Sequence, residues 1–434
     1  MHSLESWGRY PKLEQSGRPV SWRHEALPEL EGSMLPHGLG RSYGDSCLNQ
    51  GGNLLVTTGL DRLIDFDEER GLLTCEAGVS LAQVIDFSLP RGWFLPVSPG
   101  TRYVTVGGAV ANDVHGKNHH RAGTFGCHVT RLELLRSDGS RRVCSEQENP
   151  EWFAASVGGL GLTGLITWVE FQLLRVANPC IETEQIKFHT FTEFDSLVRE
   201  SDSQFAYTVA WVDTAARGQK LGRGIFIRGN HASPDFNQRK HKASDPQITI
   251  PLEAPDFLLN PWSMKLFNWG FYHKQRPKTK RVVSYQPFFY PLDGIAHWNR
   301  LYGGRGFVQH QCIVPDVAAV SEILERVGHH GQCSFLTVLK AFGSIPSPGM
   351  MSFPREGLTL TMDFGVTPAL LAMLDELDEI VVRVGGSLYP AKDARMSAAH
   401  FQTFFPNWRS FCDYVDPAFS SEFWRRVTKE GDQS

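Results

Sequence analysis

The order of apolar and polar residues predicts a compact α+β arrangement over residues 54–176. Leu72-Leu73-Thr74-Cys75-Glu76-Ala77 reads as a short strand. Ser80 stands where a helix needs a cap, with the helix over Leu81–Ser88 ended by Pro90 and Gly92. Val129–Leu135 alternates as a strand does, and Ser137-Asp138-Gly139-Ser140 supplies a hairpin turn. Asn149 as cap and Pro150 at the first position open another helix, which runs into Gly158-Gly159-Leu160-Gly161. Leu165–Val176 then reads as one long strand. After Pro179 the chain becomes richer in aromatics, with strand patterns at residues 206–212 and 358–364. Pro368–Val384 is an amphipathic helix, with Leu370, Leu374, Leu377 and Val381 at helical spacing and Gly385-Gly386 closing it. The tail from Tyr389 holds another helical stretch.

Length changes this picture by requiring more than one small core: 434 residues imply two domains, or a large one with a second lobe. Composition is that of a globular chain, 41 % hydrophobic and 21 % charged, and excludes disorder. A net charge of -4 argues against nucleic acid as the partner. The eight cysteines form no C-x-x-C pair and read as scattered, reduced thiols. No secretory signal opens the chain, and no apolar run approaches the ~20 residues that span a bilayer. The expected location is the cytoplasm. Glycine is unevenly placed: 21 of the 41 fall between Gly32 and Gly164. Such clustering suits a backbone that must approach a ligand closely.

Three glycine-rich segments carry candidate chemistry. Pro36–Asp45 contains Gly38, Gly40 and Gly44, a spacing of G-x-G-x-x-x-G followed by loop, so the dinucleotide fingerprint fails. An anion nest and a tight turn both remain open for it. In Pro99–Asp113, Thr105 caps a short helix whose Gly107 and Gly108 would let a phosphate reach free N–H groups. His115-Gly116-Lys117-Asn118-His119-His120 follows. No local carboxylate or thiolate completes a metal site there, so no metal is expected and a polar pocket lining is favoured.

Taken with Val157-Gly158-Gly159-Leu160-Gly161-Leu162-Thr163-Gly164, these segments resemble the flavin domain of the vanillyl-alcohol-oxidase superfamily, with its PCMH-type FAD-binding fold. Within it the chain is most similar to the decaprenylphosphoryl-β-D-ribose 2-oxidases. The similarity continues through Ala210–Asp213, Trp298–Gly303, Phe307–Gln311, Ser334–Lys340 and Leu388–Arg395. It implies a two-lobed FAD-binding domain over residues 1–179, completed by 388–434. A substrate domain on an antiparallel sheet with flanking helices would fill residues 180–387. It also implies oxidation of the ribose 2-hydroxyl of a polyprenyl-phosphate sugar to a ketone. A partner short-chain reductase would then complete epimerisation to the arabinose donor for bacterial cell-envelope glycans.

The resemblance assigns FAD contacts to Gly38, Gly40, Arg41, Ser42, Tyr43, Gly100, Thr101, Thr105, Gly107, Gly108, Asn112, His115, Gly116, Asn118, Gly161, Gly164, Ile166 and Tyr389. Lys392 matches the family's essential lysine; a cation there suits the anionic reduced flavin and substrate orientation. His115 is the candidate for proton handling, with Tyr43 behind it. Lys117, Gln309, Gln311, Lys340, Thr359, Thr361 and Lys392 fall at substrate positions, where lysines and amides bind sugar hydroxyls and phosphate. For Lys340 a solvated surface lysine is the competing reading.

Two departures from the family pattern matter. Arg41-Ser42 stands where some superfamily members attach FAD through histidine, so non-covalent FAD is expected. Thr361 stands where the mycobacterial enzymes carry a pocket cysteine. Electrophiles that trap that cysteine are therefore expected to leave no adduct near residue 361, which peptide mass spectrometry checks. The aromatic run Phe257–Tyr272 precedes five basic residues among Lys274–Arg281. It reads either as a peripheral contact with the inner membrane or as a core-packing loop before a solvated charge run. Two alternatives to the sugar-lipid oxidase are an oxidase of soluble alditols or aldonolactones and a non-catalytic flavoprotein subunit.

Overall fold

The computed structural model describes residues 4–236, 248–255 and 259–429. Its first lobe is built on two small sheets. Ser16–Pro19, Asn53–Val56 and Met34–His37 form a parallel three-stranded sheet with the second of these in the centre. An antiparallel five-stranded sheet runs, edge to edge, through Leu63–Asp67, Leu72–Glu76, Leu165–Gln172, Val129–Leu135 and Arg141–Cys144. The second lobe is an antiparallel eight-stranded sheet, in the order Lys278–Val283, Ile181–Phe188, Gly224–His231, Tyr207–Val212, Thr337–Phe342, Gly357–Gly365, Phe307–Val314 and Ser387–Leu388. Helices Val317–His329 and Pro368–Arg383 cover one face of it. The expected α+β class is the one observed.

Local signals fix several elements. Ser80 and Gln83 form a reciprocal capping box at the start of Leu81–Ser88. Thr367 caps Pro368–Arg383, and Gly385 supplies the left-handed residue after it, at φ 72°. Three expectations need correction. Asn149 does not cap Pro150–Ser156 with its side chain; that amide turns back to the Val143 carbonyl, 2.7 Å away. The strand expected over Leu165–Val176 breaks at Leu173, because Leu174–Arg175 leave the sheet to pair with Trp93–Phe94. The aromatic run is not a loop. Phe257 and Leu258 lie outside the described residues, but Pro261–Lys274 is a helix, opened by an Asn260–Ser263 capping box.

The lobes share a core. One buried cluster joins Leu35, Leu54 and Leu162 to the sheet residues Val308, Leu360 and Met362, to the covering helices and to Phe401, Phe411 and Phe423 of the tail. The tail is also hydrogen-bonded to the first lobe: Met34 N–H donates to the Ala418 carbonyl, and Arg426 pairs with Asp45. Arg426 pairs at the same time with Asp393, which fastens the turn after Lys392 to the first glycine loop. The fit there is tight, since a Cβ on Gly44 would fall 1.6 Å from the Asp393 carbonyl oxygen. Among the described residues, no helix is long and apolar enough to cross a membrane.

Candidate active site

One wall of the site is main chain. Leaving the strand Met34–His37, the N–H groups of Gly38 through Ser42 donate to no acceptor among the described residues. Gly40 takes a φ of 61°, which favours glycine. The far end of the loop is pinned: Tyr43 N–H donates to the Ala391 carbonyl at 2.9 Å, and Trp7 N–H to that of Ser42 at 2.8 Å. The Arg41 guanidinium stacks 4.1 Å over the Trp7 ring, and its Nε has no partner. At Gly100 an added Cβ would meet nothing within 4 Å, so the backbone borders open space. Thr101 lies beside it, and the next N–H, of Arg102, donates to Asp293 at 3.0 Å.

The expected anion site at the start of Val106–Ala111 needs correction. Thr105 does cap this helix, accepting from Gly108 N–H at 3.2 Å. The N–H groups of Val106 and Gly107, however, already donate to Val79 and Ala77, both at 2.8 Å. Gly107 is required by packing instead, because its Cβ would lie 2.8 Å from that of Ala77. Asn112 and Asn118 bond carbonyls of their own neighbourhood, Gly108 and Pro96, each at 2.8 Å. A Cβ on Gly116 would strike the Ser98 carbonyl at 2.8 Å. Gly161, at φ 75°, sets its turn against Pro36 beside the first loop. Gly164 abuts the Leu135 carbonyl, and the Ile166 side chain belongs to the first-lobe core. A run of free N–H groups, open space at Gly100 and an unpaired arginine nitrogen suit the diphosphate and ring system of FAD.

The opposite wall is a polar sheet face. Gln309 stands opposite Asp363, Gln311 opposite Thr361, and Lys340 opposite Thr359. Period-two alternation puts these on one face and Val308, His310, Leu360 and Met362 on the other, in the core. Gln311 Nε2 donates to His115 Nε2 at 2.9 Å and to Thr359 Oγ1 at 3.2 Å. The His115 ring lies among Phe342, Phe353 and Tyr389, and the Tyr389 hydroxyl donates to the Asn112 carbonyl at 2.7 Å. The Lys392 ammonium sits 3.6 Å over the Tyr43 ring. Catalytic and substrate candidates from both lobes thus meet in one cleft.

Charge in this cleft is unbalanced. Lys340 and Lys392 are half-buried along it; Lys117 is half-buried too, its ammonium donating to the Phe289 carbonyl at 3.0 Å. Burial pushes Lys340 down to about 8; burial and then the Lys340 charge push Lys117 down to about 7. Burial also lowers Lys392, against the opposing pull of Asp363. The lysine at 340 is therefore a cleft residue and not a solvated surface group. Cations enclosed this way call for an anionic ligand. Among the described residues, no three His, Cys, Asp or Glu side chains gather as metal ligands.

His115 as proton acceptor needs correction. Burial, then Lys340, His119 and Lys392, hold its imidazole well below the usual histidine range, so it is neutral and a weak base. Its Nε2 already receives the Gln311 amide, which leaves Nδ1, unpaired and buried, to carry the proton.

Two groups escaped the sequence reading. Asp363 is fully buried on the polar face and accepts from Gln309. Strand alternation from Thr361 would have pointed to it. Asp378, also fully buried, receives Arg395 at 2.7 Å and His310 at 3.1 Å, behind the turn that carries Lys392. No local pattern marks that cluster.

Comparison with known proteins agrees with this geometry. Residues 26–145 match the model of the FAD binding domain family. The decaprenylphosphoryl-β-D-ribose oxidase of Mycolicibacterium smegmatis is 36 % identical over 98 % of this chain and 97 % of its own. An uncharacterized protein of Streptomyces coelicolor is 32 % identical over 80 % of this chain and all of its own. A putative D-arabinono-1,4-lactone oxidase of Neurospora crassa is 29 % identical, but over only 27 % of this chain and 21 % of its own. The cradle, the lysine-lined sheet face and the full-length similarity lead to one conclusion: the chain belongs to the decaprenylphosphoryl-β-D-ribose oxidase family of FAD-dependent oxidoreductases.

Proposed function

We propose that this protein oxidises the 2-hydroxyl of a polyprenylphosphoryl-β-D-ribose to the 2-keto sugar. The observation that carries the proposal is the meeting of a free-amide cradle with a polar face ringed by Lys117, Lys340 and Lys392. A neutral alditol or lactone would bring no negative charge to this lysine-lined face. The lactone-oxidase relative also aligns with little more than a quarter of this chain. When bound, FAD supplies the two-electron acceptor for the sugar C–H. Gly38–Ser42 and Gly100 would hold it, non-covalently. Lys117 and Lys340 bind the phosphate, while Gln309, Gln311, Thr359 and Thr361 hold the sugar hydroxyls. Lys392, with its basicity lowered by burial, takes the hydroxyl proton and becomes a cation as negative charge develops beside it. Tyr43 supports that ammonium with its ring face. Product analysis tests this: the sugar lipid should lose two hydrogens, and borodeuteride should return one deuterium at C2. A free polyol turned over in its place would overturn it.

A ketone product needs a reductant, and we assign that step to a separate short-chain reductase. We further propose that helix Pro261–Lys274 rests on the membrane that holds the lipid. Its Trp262 is 81 % exposed and Trp269 57 %, with Leu266, Phe267 and Phe271 exposed around them. Lys274, Arg276 and Arg281 are exposed nearby, and each cation near an anionic surface contributes about 1 kcal/mol. Replacing Trp262 and Trp269 together by serine is expected to reduce sedimentation with anionic liposomes several-fold. Equal binding by the variant would remove this part of the account.

A further inference from the structure

Tyr43 and Lys392 come from opposite ends of the chain, yet the ammonium sits over the ring. Three ties bring their backbones together. Tyr43 N–H donates to the Ala391 carbonyl at 2.9 Å. Gly44 presses on the Asp393 carbonyl, with no room there for a side chain. The third tie comes from the closing helix, Glu422–Thr428. Its Arg426 gives a fork to Asp45, with Nε at 2.9 Å and one Nη at 2.7 Å, and the same Nη donates to Asp393 at 2.9 Å. The other Nη donates to the Met396 carbonyl. Asp45 ends the first glycine loop, and Asp393 is the neighbour of Lys392. Both carboxylates are buried, at 2 % and 8 % exposed. Two buried carboxylates this close repel; the guanidinium between them turns the repulsion into a bridge.

We propose that Arg426 is a positioning residue for the oxidation: through Asp45 and Asp393 it holds the Lys392 ammonium in register with the glycine loop that cradles the flavin. The helix that carries it is anchored by other means. Ser421 caps it by accepting from Trp424 N–H at 3.0 Å, and Phe423 and Trp424 enter the shared core. Glu422 N–H donates to the Leu48 carbonyl at 2.8 Å. Arg425 donates to Asn49 Oδ1 at 2.7 Å and to the Gln50 carbonyl at 3.2 Å. The turn that carries Lys392 is braced from behind as well, by Arg395 on Asp378. Loss of Arg426 therefore shifts the turn against the loop without undocking the tail. A displacement of about 1 Å in a reacting group can cost ~10²-fold in rate. Adjacent arginines thus divide two tasks: Arg425 docks the tail, and Arg426 places the lysine.

The rate part of this inference rests on the oxidase reading; the labelling part does not. In the flavin-loaded full chain, Arg426→Gln should slow flavin reduction by the sugar lipid about tenfold or more, well below its melting temperature and with its FAD content unchanged. Arg425→Ala, which loosens the same helix from Asn49 and Gln50, should reduce at close to the wild-type rate. Equal slowing in the two variants, or none in Arg426→Gln, overturns the proposal. Acetylation by acetic anhydride, read by peptide mass spectrometry, needs no turnover. Lys392 should react several-fold faster in Arg426→Gln than in wild type, and Lys340 at an unchanged rate. Unchanged reactivity of Lys392 overturns the positioning role, whatever the substrate is. A wild-type flavin left oxidised by the sugar lipid overturns the oxidase reading instead, and the labelling then decides alone. Should Arg426→Gln not fold, Arg426→Lys carries the same comparisons, because it keeps the charge but lacks the fork that spans both carboxylates.

Discussion

Lys392→Met is expected to keep its FAD and to slow flavin reduction by the sugar lipid by about 10²- to 10³-fold or more. Methionine nearly matches the length of lysine but neither accepts a proton nor carries charge. FAD should stay because the cradle is main chain from Gly38 to Ser42, remote in kind from the lysine side chain. Lys392 does not stand free on a flexible loop. Its N–H donates to the Tyr389 carbonyl at 2.9 Å, and the next residue, Asp393, accepts from the N–H groups of Arg395 and Met396. The turn survives replacement of the side chain, so the loss should fall on the chemical step. Stopped-flow reduction, read beside the flavin-to-protein ratio, checks both halves. A variant with unchanged turnover would contradict the role given to Lys392.

The largest loss of stability is expected from Asp378→Ala. This carboxylate is fully buried on the helix Pro368–Arg383, between Arg395, His310 and His400. Removing one member of a buried ion cluster leaves the others uncompensated, at about 3–5 kcal/mol. Burial alone would push the Asp378 carboxyl up; the His310 hydrogen bond, the nearby His400 and the Arg395 charge hold it well below the usual range. Its contribution is therefore present above the unfolded carboxyl pKa of about 4 and is lost as pH falls below that. His400 is raised, first by Asp378, 3.8 Å from its Nδ1. Its contribution is complete below the unfolded histidine pKa of about 6.5 and fades as pH rises through the higher folded value. The gap between wild type and Asp378→Ala should be widest between these limits. Denaturation curves across pH 3–8 (about the range both groups span) measure it, and a gap independent of pH would contradict the assignment.

Much of the fold was legible because its signals are local. A serine followed by Gln83 caps a helix wherever the chain places it, and Leu370, Leu374 and Leu377 reveal a buried stripe by spacing alone. The helix at Pro261 went unread, although Asn260-Pro261 repeats the Asn149-Pro150 start. Its aromatic residues hid it: they surround the helix, so no single apolar face stood out. The first loop and the turn beside it were marked in the sequence by Gly38, Gly40 and Gly161. Where side chains make the site, position in the chain says little. Asp378 and Arg395 are 17 residues apart, and only the packing of a helix against a distant turn brings their charges together. Gly107 and Gly44 show the limit of reading glycine as a ligand signal, because packing requires both.

Anaerobic stopped-flow spectroscopy tests the central claim most directly. The purified flavoprotein would be mixed with polyprenylphosphoryl-β-D-ribose carrying hydrogen or deuterium at C2, and with free polyols. The account predicts bleaching of the oxidised flavin by the sugar lipid, slower with deuterium, and no bleaching by polyols. A flavin that stays oxidised with the sugar lipid, yet bleaches with a soluble polyol, would contradict it.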